Sequence, residues 1–173
     1  MVEFVIKNLE TSDTTAILEV YQACEDFLAL GPQPRASIDM VKKDMEETQD
    51  LGGVFTGIFI PNDPSSTQKK KRGRLAGVLS YIPAGFEGNP DVAFLWLLMI
   101  AAPFRHLGLG SAVVGWLETH LRQSGKVTRI QSGVQVNNPQ AIRFWLRQGY
   151  QIIGPAQLMP DTTTAFPLEK KLS

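Results

Sequence analysis

The chain has 173 residues, of which 43% are hydrophobic and 20% charged, a composition typical of one soluble globular domain. Lysine and arginine together number 17, as do aspartate and glutamate, so the net charge of zero gives no general attraction to nucleic acid or to an anionic membrane. The one cysteine, Cys24, excludes an intrachain disulfide. The N-terminus carries no signal-peptide segment, and no apolar run reaches the ~20 residues that cross a bilayer. We therefore expect one domain over residues 1–173 in the cytoplasm, without a membrane or nucleic-acid partner.

The first third of the chain predicts a strand, two helices and a second strand. Apolar residues recur at helical spacing after Ser12 and Asp13, either of which can serve as the N-cap of the first helix. Ser37 can cap a second, more polar helix. The elements expected here are a strand over residues 3–9, a helix within residues 11–30, a helix from Ser37 to about Thr48, and a strand over residues 52–60.

A polar and basic segment over residues 61–74 interrupts this pattern. It begins with proline, has no apolar periodicity and is flanked by strand-like stretches at 54–60 and 75–82, so it predicts a long connection in a hairpin. The four consecutive cations at 69–72 favour a solvated loop tip, with RNA or an acidic partner as the alternative.

The second half of the chain alternates strands and helices. Residues 91–102 are apolar in both alternation phases, which indicates a strand buried on both faces. A long helix follows and ends at Gly125. A shorter helix has Asn138 as N-cap and Pro139 at its first position, and it ends before Gly149. Further strands are expected over residues 127–136, 151–159 and 162–172. The order β-α-α-β-β-β-α-β-α-β-β predicts an α/β fold with a mixed sheet.

A Gly-Leu-Gly turn between a strand and a helix carries the clearest chemical signal. A helix N-terminus has unpaired N–H groups and a partial positive charge, and Gly108 and Gly110 let an anion reach that backbone. Arg105 can add charge-assisted hydrogen bonds to a phosphate. Neither the P-loop nor the Rossmann fingerprint fits, because Val113 stands where each motif requires a further glycine or alanine.

The residues around the turn supply a third pattern. Arg105, Gly108 and Gly110 form Arg-x-x-Gly-x-Gly, with Ile100 five positions before the arginine and Phe104 directly before it. Further along, a second motif reads Asn-x-x-Ala-x-x-x-aromatic-x-x-x-Gly-aromatic, and its residues are Asn138, Ala141, Trp145, Gly149 and Tyr150. Together these motifs resemble those of the GCN5-related N-acetyltransferase (GNAT) superfamily, and the order of elements is similar along the whole chain.

The resemblance implies a fold and a cofactor site. The fold is a mixed central sheet of about seven strands, with helices on both faces and a V-shaped splay between the fourth and fifth strands. Acetyl-CoA would be the co-substrate, with no metal. Its pantetheine arm would lie on the open edge of the fourth strand and its pyrophosphate on the glycine turn. The residues implied are Leu98, Met99, Ile100, Arg105, His106, Leu107, Gly108, Leu109, Gly110, Ser111 and Asn138.

The catalytic residues stay unassigned at this stage. In the family an amine attacks the thioester directly, and many members have a tyrosine as general acid where this chain has Trp145, whose indole is no practical proton donor to a thiolate. Many also have a glutamate on the motif strand, whereas residues 94–100 include no carboxylate. Cys24 is expected to be a buried structural residue. The candidates left open are Glu25, Asp26, Tyr81, Glu87 and Asp91, while His106 and His120 are not favoured as bases.

Three functions remain open on the sequence alone. The favoured one is transfer of an acetyl group from acetyl-CoA to a primary amine of a small molecule. The second is acetylation of a protein N-terminus or lysine. The third is a non-catalytic acyl-CoA-binding module, which gains weight from Trp145 and from the missing strand carboxylate. Apolar strand ends and the segment 155–167 are compatible with a homodimer.

Overall fold

One mixed sheet organises the computed structural model, which describes residues 2–62 and 73–173. Its strands in these residues are β1 (Val5–Asn8), β2 (Val54–Ile60), β3 (Arg74–Ile82), β4 (Val92–Ile100), β5 (Arg129–Gln135), β6 (Gln151–Ile152), β7 (Gln157–Leu158) and β8 (Thr164–Lys171). They lie in the order β1-β2-β3-β4-β5-β8-β6, and β7 pairs with β8. Every pair is antiparallel except β4 and β5, which run parallel. The predicted mixed α/β sheet is thereby confirmed.

Helices cover both faces of this sheet, as expected. They are α1 (Thr14–Gln22), α2 (Glu25–Leu28), α3 (Ile38–Asp50), α4 (Leu109–Gln123) and α5 (Pro139–Arg147). The Oγ of Ser37 accepts a hydrogen bond from the N–H of Met40 at 3.1 Å, which confirms the predicted cap of α3. Gly125 follows α4 with a φ of +67°, the left-handed conformation that favours glycine at a helix C-terminus.

Each face of the sheet has its own core, because side chains alternate along a strand. On the face covered by α1 and α3, Ile17 and Val41 are fully buried. On the opposite face, Val113 and Leu117 of α4 lie one helical turn apart and share a core with Ile130 of β5. Helices on both faces account for a central strand that is apolar in both alternation phases.

The first predicted helix is two helices in the structure. A short 3-10 turn at Thr11–Asp13 precedes α1, and α1 is separated from α2 at Ala23 and Cys24. The carbonyl of Ala23 accepts a hydrogen bond from the N–H of Ala102 at 3.2 Å, and the Cys24 thiol donates to the carbonyl of Ile100 at 3.4 Å. The break between α1 and α2 therefore contacts the end of β4. The helical spacing of apolar residues cannot predict this break, because it depends on a contact with a distant part of the chain.

The strand predicted over residues 151–159 is also two short pieces, β6 and β7. Gly154 and Pro155 lie between them, and proline cannot donate a hydrogen bond to a sheet. Ile153, Leu158 and Met159 in this segment are exposed. These side chains give the segment an apolar surface, and the homodimer stays a prediction.

The hairpin expected around the basic segment 61–74 is present in its pairing. β2 and β3 are antiparallel neighbours, and Ile60 lies opposite Arg74. Residues 63–72, which include the four consecutive cations, lie outside the described residues.

Candidate active site

A gap opens between the two parallel strands at the centre of the sheet. β4 and β5 pair over three positions only, from Val92 opposite Arg129 to Phe94 opposite Gln131. Beyond that point β4 continues beside β3 as far as Ile100, so its other edge has no neighbouring strand in the described residues. The predicted V-shaped splay between the fourth and fifth strands is thereby confirmed.

A β-bulge lies where the splay begins. In the pairing of β3 with β4, Tyr81 is opposite Leu95 and Ser80 is opposite Leu97, so Trp96 is an extra residue. The Oγ of Ser132 on β5 donates a hydrogen bond to the carbonyl of Leu95 at 2.9 Å. This side-chain bond closes the V at its apex. It leaves Leu98, Met99 and Ile100 on the open part of β4, where sequence analysis predicted the pantetheine contacts.

The loop between β4 and α4 presents a run of free backbone N–H groups. His106 and Gly108 have left-handed φ values of +63° and +81°. No side chain caps the N-terminus of α4, and the N–H groups of residues 106–111 donate no backbone hydrogen bond within residues 2–62 and 73–173. Successive N–H groups in such a turn, together with the helix dipole, form a concave anion site.

The two glycines of the turn have different roles. Within residues 2–62 and 73–173, a Cβ atom on Gly108 would meet no atom within 4 Å, so this glycine allows the left-handed backbone and leaves space in front of the loop. A Cβ atom on Gly110 would lie 3.4 Å from the ring of Phe144. Gly110 therefore allows α5 to pack closely against the first turn of α4. The side-chain amide of Gln148 adds a hydrogen bond to the Oγ of Ser111 at 2.9 Å.

Asn138 lies at the N-terminus of α5, on the far side of the splay. Its Oδ1 accepts a hydrogen bond from the N–H of Ala141 at 3.0 Å, and Pro139 occupies the first helical position, so the predicted cap is confirmed. Because β4 and β5 are parallel, the turns that follow them lie at the same end of the sheet. The structure therefore places Asn138 and the glycine turn on the two sides of one gap.

Arg105 is engaged within the protein. Its Nε donates to the carbonyl of Ile100 at 2.7 Å, and its Nη2 donates to Oδ1 of Asp26 at 3.1 Å. The hydrogen bond from Arg105 lowers the pKa of Asp26 below the usual aspartate value. In this geometry Arg105 ties α2 to the end of β4, and its role in holding phosphate stays a prediction.

The only thiol of the chain is inaccessible. Cys24 is 0% exposed, and burial raises the pKa of its thiol. Its hydrogen bond to the carbonyl of Ile100 makes it a second donor to the oxygen that Arg105 also contacts. Cys24 is thus a buried structural residue, as expected from the sequence.

Trp145, at the position where many family members have a tyrosine, packs in the core. Its side chain is 7% exposed, and its ring meets Tyr150 and Phe144 edge-on at centroid distances of 5.0 and 5.1 Å. Next to this cluster, the ammonium of Lys170 bonds to both carboxylate oxygens of Glu118, at 2.7 and 2.8 Å. The same ammonium donates to the carbonyl of Gln148 at 2.7 Å, at the C-terminus of α5. Trp145 therefore stabilises the packing of α5 against the core.

The candidate bases have partners elsewhere in the fold. Glu25 accepts from Arg35 and from the N–H of Ala36. Asp91 accepts from the hydroxyl of Thr128. Burial raises the pKa of Tyr81 further above neutrality, which disfavours it as a base. The other residues considered are Asp26, in its ion pair with Arg105, Glu87, on an exposed turn, His106, exposed in the glycine loop, and His120, stacked on Trp116.

Three aromatic rings that the sequence does not bring together meet beside the apex of the splay. Phe86 stacks on Phe94 with ring centroids 4.1 Å apart, and Phe94 meets Trp96 at 5.8 Å. Trp96 is 38% exposed. The sequence signal was misleading, because Phe94 and Trp96 fall in an apolar run that predicts burial on both faces.

Two searches of the described residues for other kinds of site were negative. None of the helices is long and apolar enough to cross a membrane. Among the same residues, no group of three or more histidine, cysteine, aspartate or glutamate side chains is arranged to hold a metal ion.

Comparison with known proteins gives one family and many similar structures. A model described as "Acetyltransferase (GNAT) family" matches residues 21–150. An acetyltransferase from Thermus thermophilus is 19% identical, with a TM-score of 0.76 over 99% of this chain and 100% of that chain. An acetyl transferase from Salmonella typhimurium that modifies the N-terminal serine of ribosomal protein L7/L12 is 15% identical, with a TM-score of 0.73 over 98% and 95%.

A third structure, also from Salmonella typhimurium, was solved with its cofactor acetyl-CoA. It is 18% identical, with a TM-score of 0.64 over 98% of this chain and 94% of that chain. Among curated protein sequences, none matches this chain. At these identities the structural likenesses establish the fold, while the family model covers well over half of the chain.

Proposed function

We propose, because this chain belongs to the acetyltransferase (GNAT) family, that it transfers an acetyl group from acetyl-CoA to the primary amine of a small molecule. The family makes the protein an N-acetyltransferase. One observation carries the assignment of the cofactor site. In the part of the chain that the structure describes, a strand edge without a neighbour and a helix N-terminus without a side-chain cap lie at the same end of the sheet.

The free edge of β4 suits the pantetheine arm. Pantetheine contains two amide groups, which can pair with a strand edge much as an added peptide strand does. Leu98, Met99 and Ile100 lie beyond the last pairing of β4 with β5, at Phe94 and Gln131. Backbone groups alternate in direction along a strand, and the carbonyl of Met99 is directed towards Gly77 on β3. The carbonyl of Ile100 already accepts from Arg105 and Cys24, so the backbone groups of Leu98 and the N–H of Ile100 are the proposed partners of the two amides on the open edge.

The loop before α4 suits the pyrophosphate. The N–H groups of residues 106–111 are free in the described structure, and a negative charge at a helix N-terminus is stabilised by the helix dipole. Asn138 faces the same gap from α5. Its Oδ1 is used in the cap, so its side-chain N–H groups are the part left to contact the cofactor.

The proposed reaction needs a neutral amine and a stabilised oxyanion. The amine nitrogen attacks the thioester carbonyl, the new C–N bond forms, and the C–S bond then breaks to release the thiolate of coenzyme A. Backbone N–H groups on the open edge of β4, next to the thioester, are proposed to stabilise the tetrahedral oxyanion. Trp145 is buried and its indole is no acid, so solvent takes the ammonium proton and protonates the thiolate.

A non-catalytic acyl-CoA-binding module is the second candidate. The burial of Trp145 favours it, because the position that often supplies the acid is part of the core here. Release of free thiol from acetyl-CoA, followed over a panel of primary amines and short peptides, separates the two. A module binds acetyl-CoA and releases no thiol above the rate without protein, whereas the proposed enzyme releases thiol with small amines faster than with peptides.

The cofactor site is tested by a matched pair of glycine substitutions. Gly108 and Gly125 both have left-handed φ values and open space around the missing Cβ, so leucine strains the backbone similarly at either position. We expect acetyl-CoA at 100 times its Kd to stabilise the wild type by ~2.7 kcal/mol, seen as a rise in Tm. Gly125→Leu should keep this rise and Gly108→Leu should lose it. An equal rise in both variants would show that the pyrophosphate lies elsewhere.

A further inference from the structure

The three rings that meet beside the splay form a continuous apolar wall, called here the aromatic wall (Phe86, Phe94 and Trp96). The interplanar angle between the first two rings is 27°, and the third is tilted against the second by 58°. Phe94 is only partly buried and Trp96 is exposed, so the wall faces solvent on one side. Exposed aromatic surface of this kind is a common feature of ligand sites.

The wall lies at the reacting end of the proposed cofactor site. Phe94 is the last residue of β4 that pairs with β5, and Trp96, two residues further along the strand, is the bulged residue. The proposed pantetheine contacts begin two residues later, at Leu98. The thioester of a cofactor bound along this edge would therefore approach the splay apex beside Trp96.

The turn that carries Phe86 is held in an unusual backbone conformation. Gly85 and Gly88 have φ values of +80°, and Glu87 between them has a φ of +50°, which is uncommon for a residue with a side chain. The N–H of Asn89 closes the turn on the carbonyl of Phe86 at 3.0 Å. Strained turns persist where the surrounding structure fixes them, and they cluster at functional sites.

The neighbouring strand leaves room in front of the wall. Gly133 lies two residues after Gln131 on β5, on the same face of the sheet and just beyond the apex. It is exposed, and the nearest atom to an added Cβ would be the Cβ of Ala165 at 3.9 Å. Glycine inside a strand often marks close approach of a ligand.

Charges of both signs lie near the wall. The Arg129 guanidinium lies 3.8 Å from a carboxylate oxygen of Asp91 and 3.7 Å from one of Glu169, and Lys171 lies directly opposite Arg129 in the pairing of β5 with β8. Gln131, beside Phe94, donates to Glu169 at 2.9 Å, which places that carboxylate on the same face as the wall. The exposed Glu87 adds a negative charge on the turn. Glu169 and Glu87 are therefore carboxylates that the ammonium form of an amine can approach at this end of the gap.

We infer that the aromatic wall binds a flat apolar group of the acceptor, and that the acceptor is a small primary amine carrying an aromatic ring. This inference rests on the proposed function. The ring of the acceptor stacks on Trp96 and Phe94, and its amine reaches the thioester at the apex. Stacking on an aromatic ring contributes beyond the burial of apolar area, so loss of the Trp96 ring removes about tenfold in affinity.

The inference is tested by comparing phenethylamine with n-butylamine, which has an amine on a chain without a ring. In steady-state thiol-release assays the wild type should have a KM about tenfold lower for phenethylamine. Trp96→Ala should raise that KM about tenfold, have a clearly smaller effect on the KM for n-butylamine, and recover with Trp96→Phe. Trp116→Ala is the matched control, because Trp116 stacks on His120 of α4 and not on a ring of the aromatic wall. Phe86→Leu is a second, milder variant, because leucine keeps a somewhat smaller apolar side chain in the turn.

The possible failures are distinguishable. Equal kcat/KM for the two amines, or a Trp96→Ala effect equal for both, overturns the aromatic acceptor and leaves the acetyltransferase assignment intact. A lower KM for a peptide with a free N-terminus than for phenethylamine also overturns it, in favour of a protein acceptor. Absence of thiol release with every acceptor, despite binding of acetyl-CoA, overturns the proposed function and this inference with it.

Discussion

The two helices that flank the splay begin in opposite ways. α4 starts at Gly108 without a side-chain cap, and the N–H groups of its first turn are free in the described residues. α5 starts at Asn138, whose side chain accepts a hydrogen bond from an N–H group in the first turn of α5. The next residue, Pro139, has no N–H group that needs an acceptor. One helix N-terminus is left open at a cost in helix stability, and the other is closed.

The difference teaches where an anion is expected to bind. A helix whose first turn is capped by its own side chain has little left to offer a ligand, whereas an uncapped turn preceded by left-handed residues is a concave set of donors. Glycines signal the start of α4, whereas Asn138 and Pro139 signal the start of α5. The residue at the cap position therefore distinguishes a structural start from a binding site.

The largest effect is expected from loosening the contact that fixes α4 against α5. Lys170→Met leaves Glu118, which is 12% exposed, as an unpaired carboxylate and removes the hydrogen bond to the carbonyl of Gln148. Breaking one partner of a buried pair is strongly destabilising, so we expect a loss of about 3 kcal/mol in the free energy of unfolding. Urea denaturation measures it.

The control for this variant is the double substitution Glu118→Leu with Lys170→Met. It removes both charges and should recover most of the stability, because no unpaired carboxylate remains. A single variant that loses less than about 1 kcal/mol would mean that the ion pair does not hold the two helices together.

The difference between the N-termini of α4 and α5 is tested directly by adding a carboxylate to the first turn of each helix. Ser111→Glu places a negative charge in the first turn of α4, where it complements the helix dipole but repels a phosphate. We expect the Kd of acetyl-CoA to rise about tenfold, while the free energy of unfolding without ligand rises by ~0.3–1 kcal/mol or stays unchanged. Calorimetric titration and thermal melting measure the two quantities.

Gln140→Glu is the matched control, because it adds the same charge to the first turn of α5. Its effect on the Kd of acetyl-CoA should be clearly smaller. Equal weakening by the two variants would show that the cofactor phosphates do not distinguish the two helix starts.

The cap of α5 is tested by two substitutions of one residue. Asn138→Ala removes the acceptor for the N–H of Ala141 and should cost about 1 kcal/mol of stability, or ~2–4 °C in Tm for a chain of this size. Asn138→Ser keeps a capping oxygen and should be nearly as stable as the wild type. If Asn138 also contacts the cofactor, as we propose, the serine variant binds acetyl-CoA more weakly at unchanged stability. Unchanged binding would leave Asn138 as a cap only.

The smallest effect is expected at Asp26, whose side chain is 64% exposed. Its pKa is lowered by Arg105, so its contribution to stability is present above the unfolded value of ~3.9 and is lost as the pH falls through the lower folded pKa. Asp26→Asn should cost ~0.5 kcal/mol or less at pH 7, because exposed pairs are screened. The difference from the wild type should vanish in acid, which thermal melts from pH 7 to pH 2 measure. A difference that grows in acid would contradict the pairing.

Local signals explain what the sequence predicted well. The cap and stop of α5 are set by Asn138, Pro139 and Gly149, all within or next to one helix, and each appears in the structure where it was expected. The cap of α3 at Ser37 is confirmed for the same reason. Interactions within a few residues can be predicted because both partners lie close together in the sequence.

Long-range pairing explains what the sequence did not predict. The ion pair between Arg105 and Asp26 joins residues far apart in the chain. The sequence motif therefore predicted a phosphate contact for Arg105 and could not predict its ion pair with Asp26. The bulge at Trp96 arises from the register between β3 and β4, which alternation along one strand cannot reveal. The aromatic wall depends on that bulge and on a distant turn, and it therefore emerged only from the structure.

The buried thiol has a consequence for the redox chemistry of an enzyme that releases coenzyme A. Each turnover of the proposed reaction sets free a thiol that can exchange with protein disulfides or join a surface cysteine in a mixed disulfide. Cys24 is the one cysteine of the chain, it is fully buried, and burial keeps its thiol protonated. The folded protein therefore has no accessible thiol that could exchange with coenzyme A. Coenzyme A can accumulate in reduced or oxidised form without modifying the enzyme that releases it.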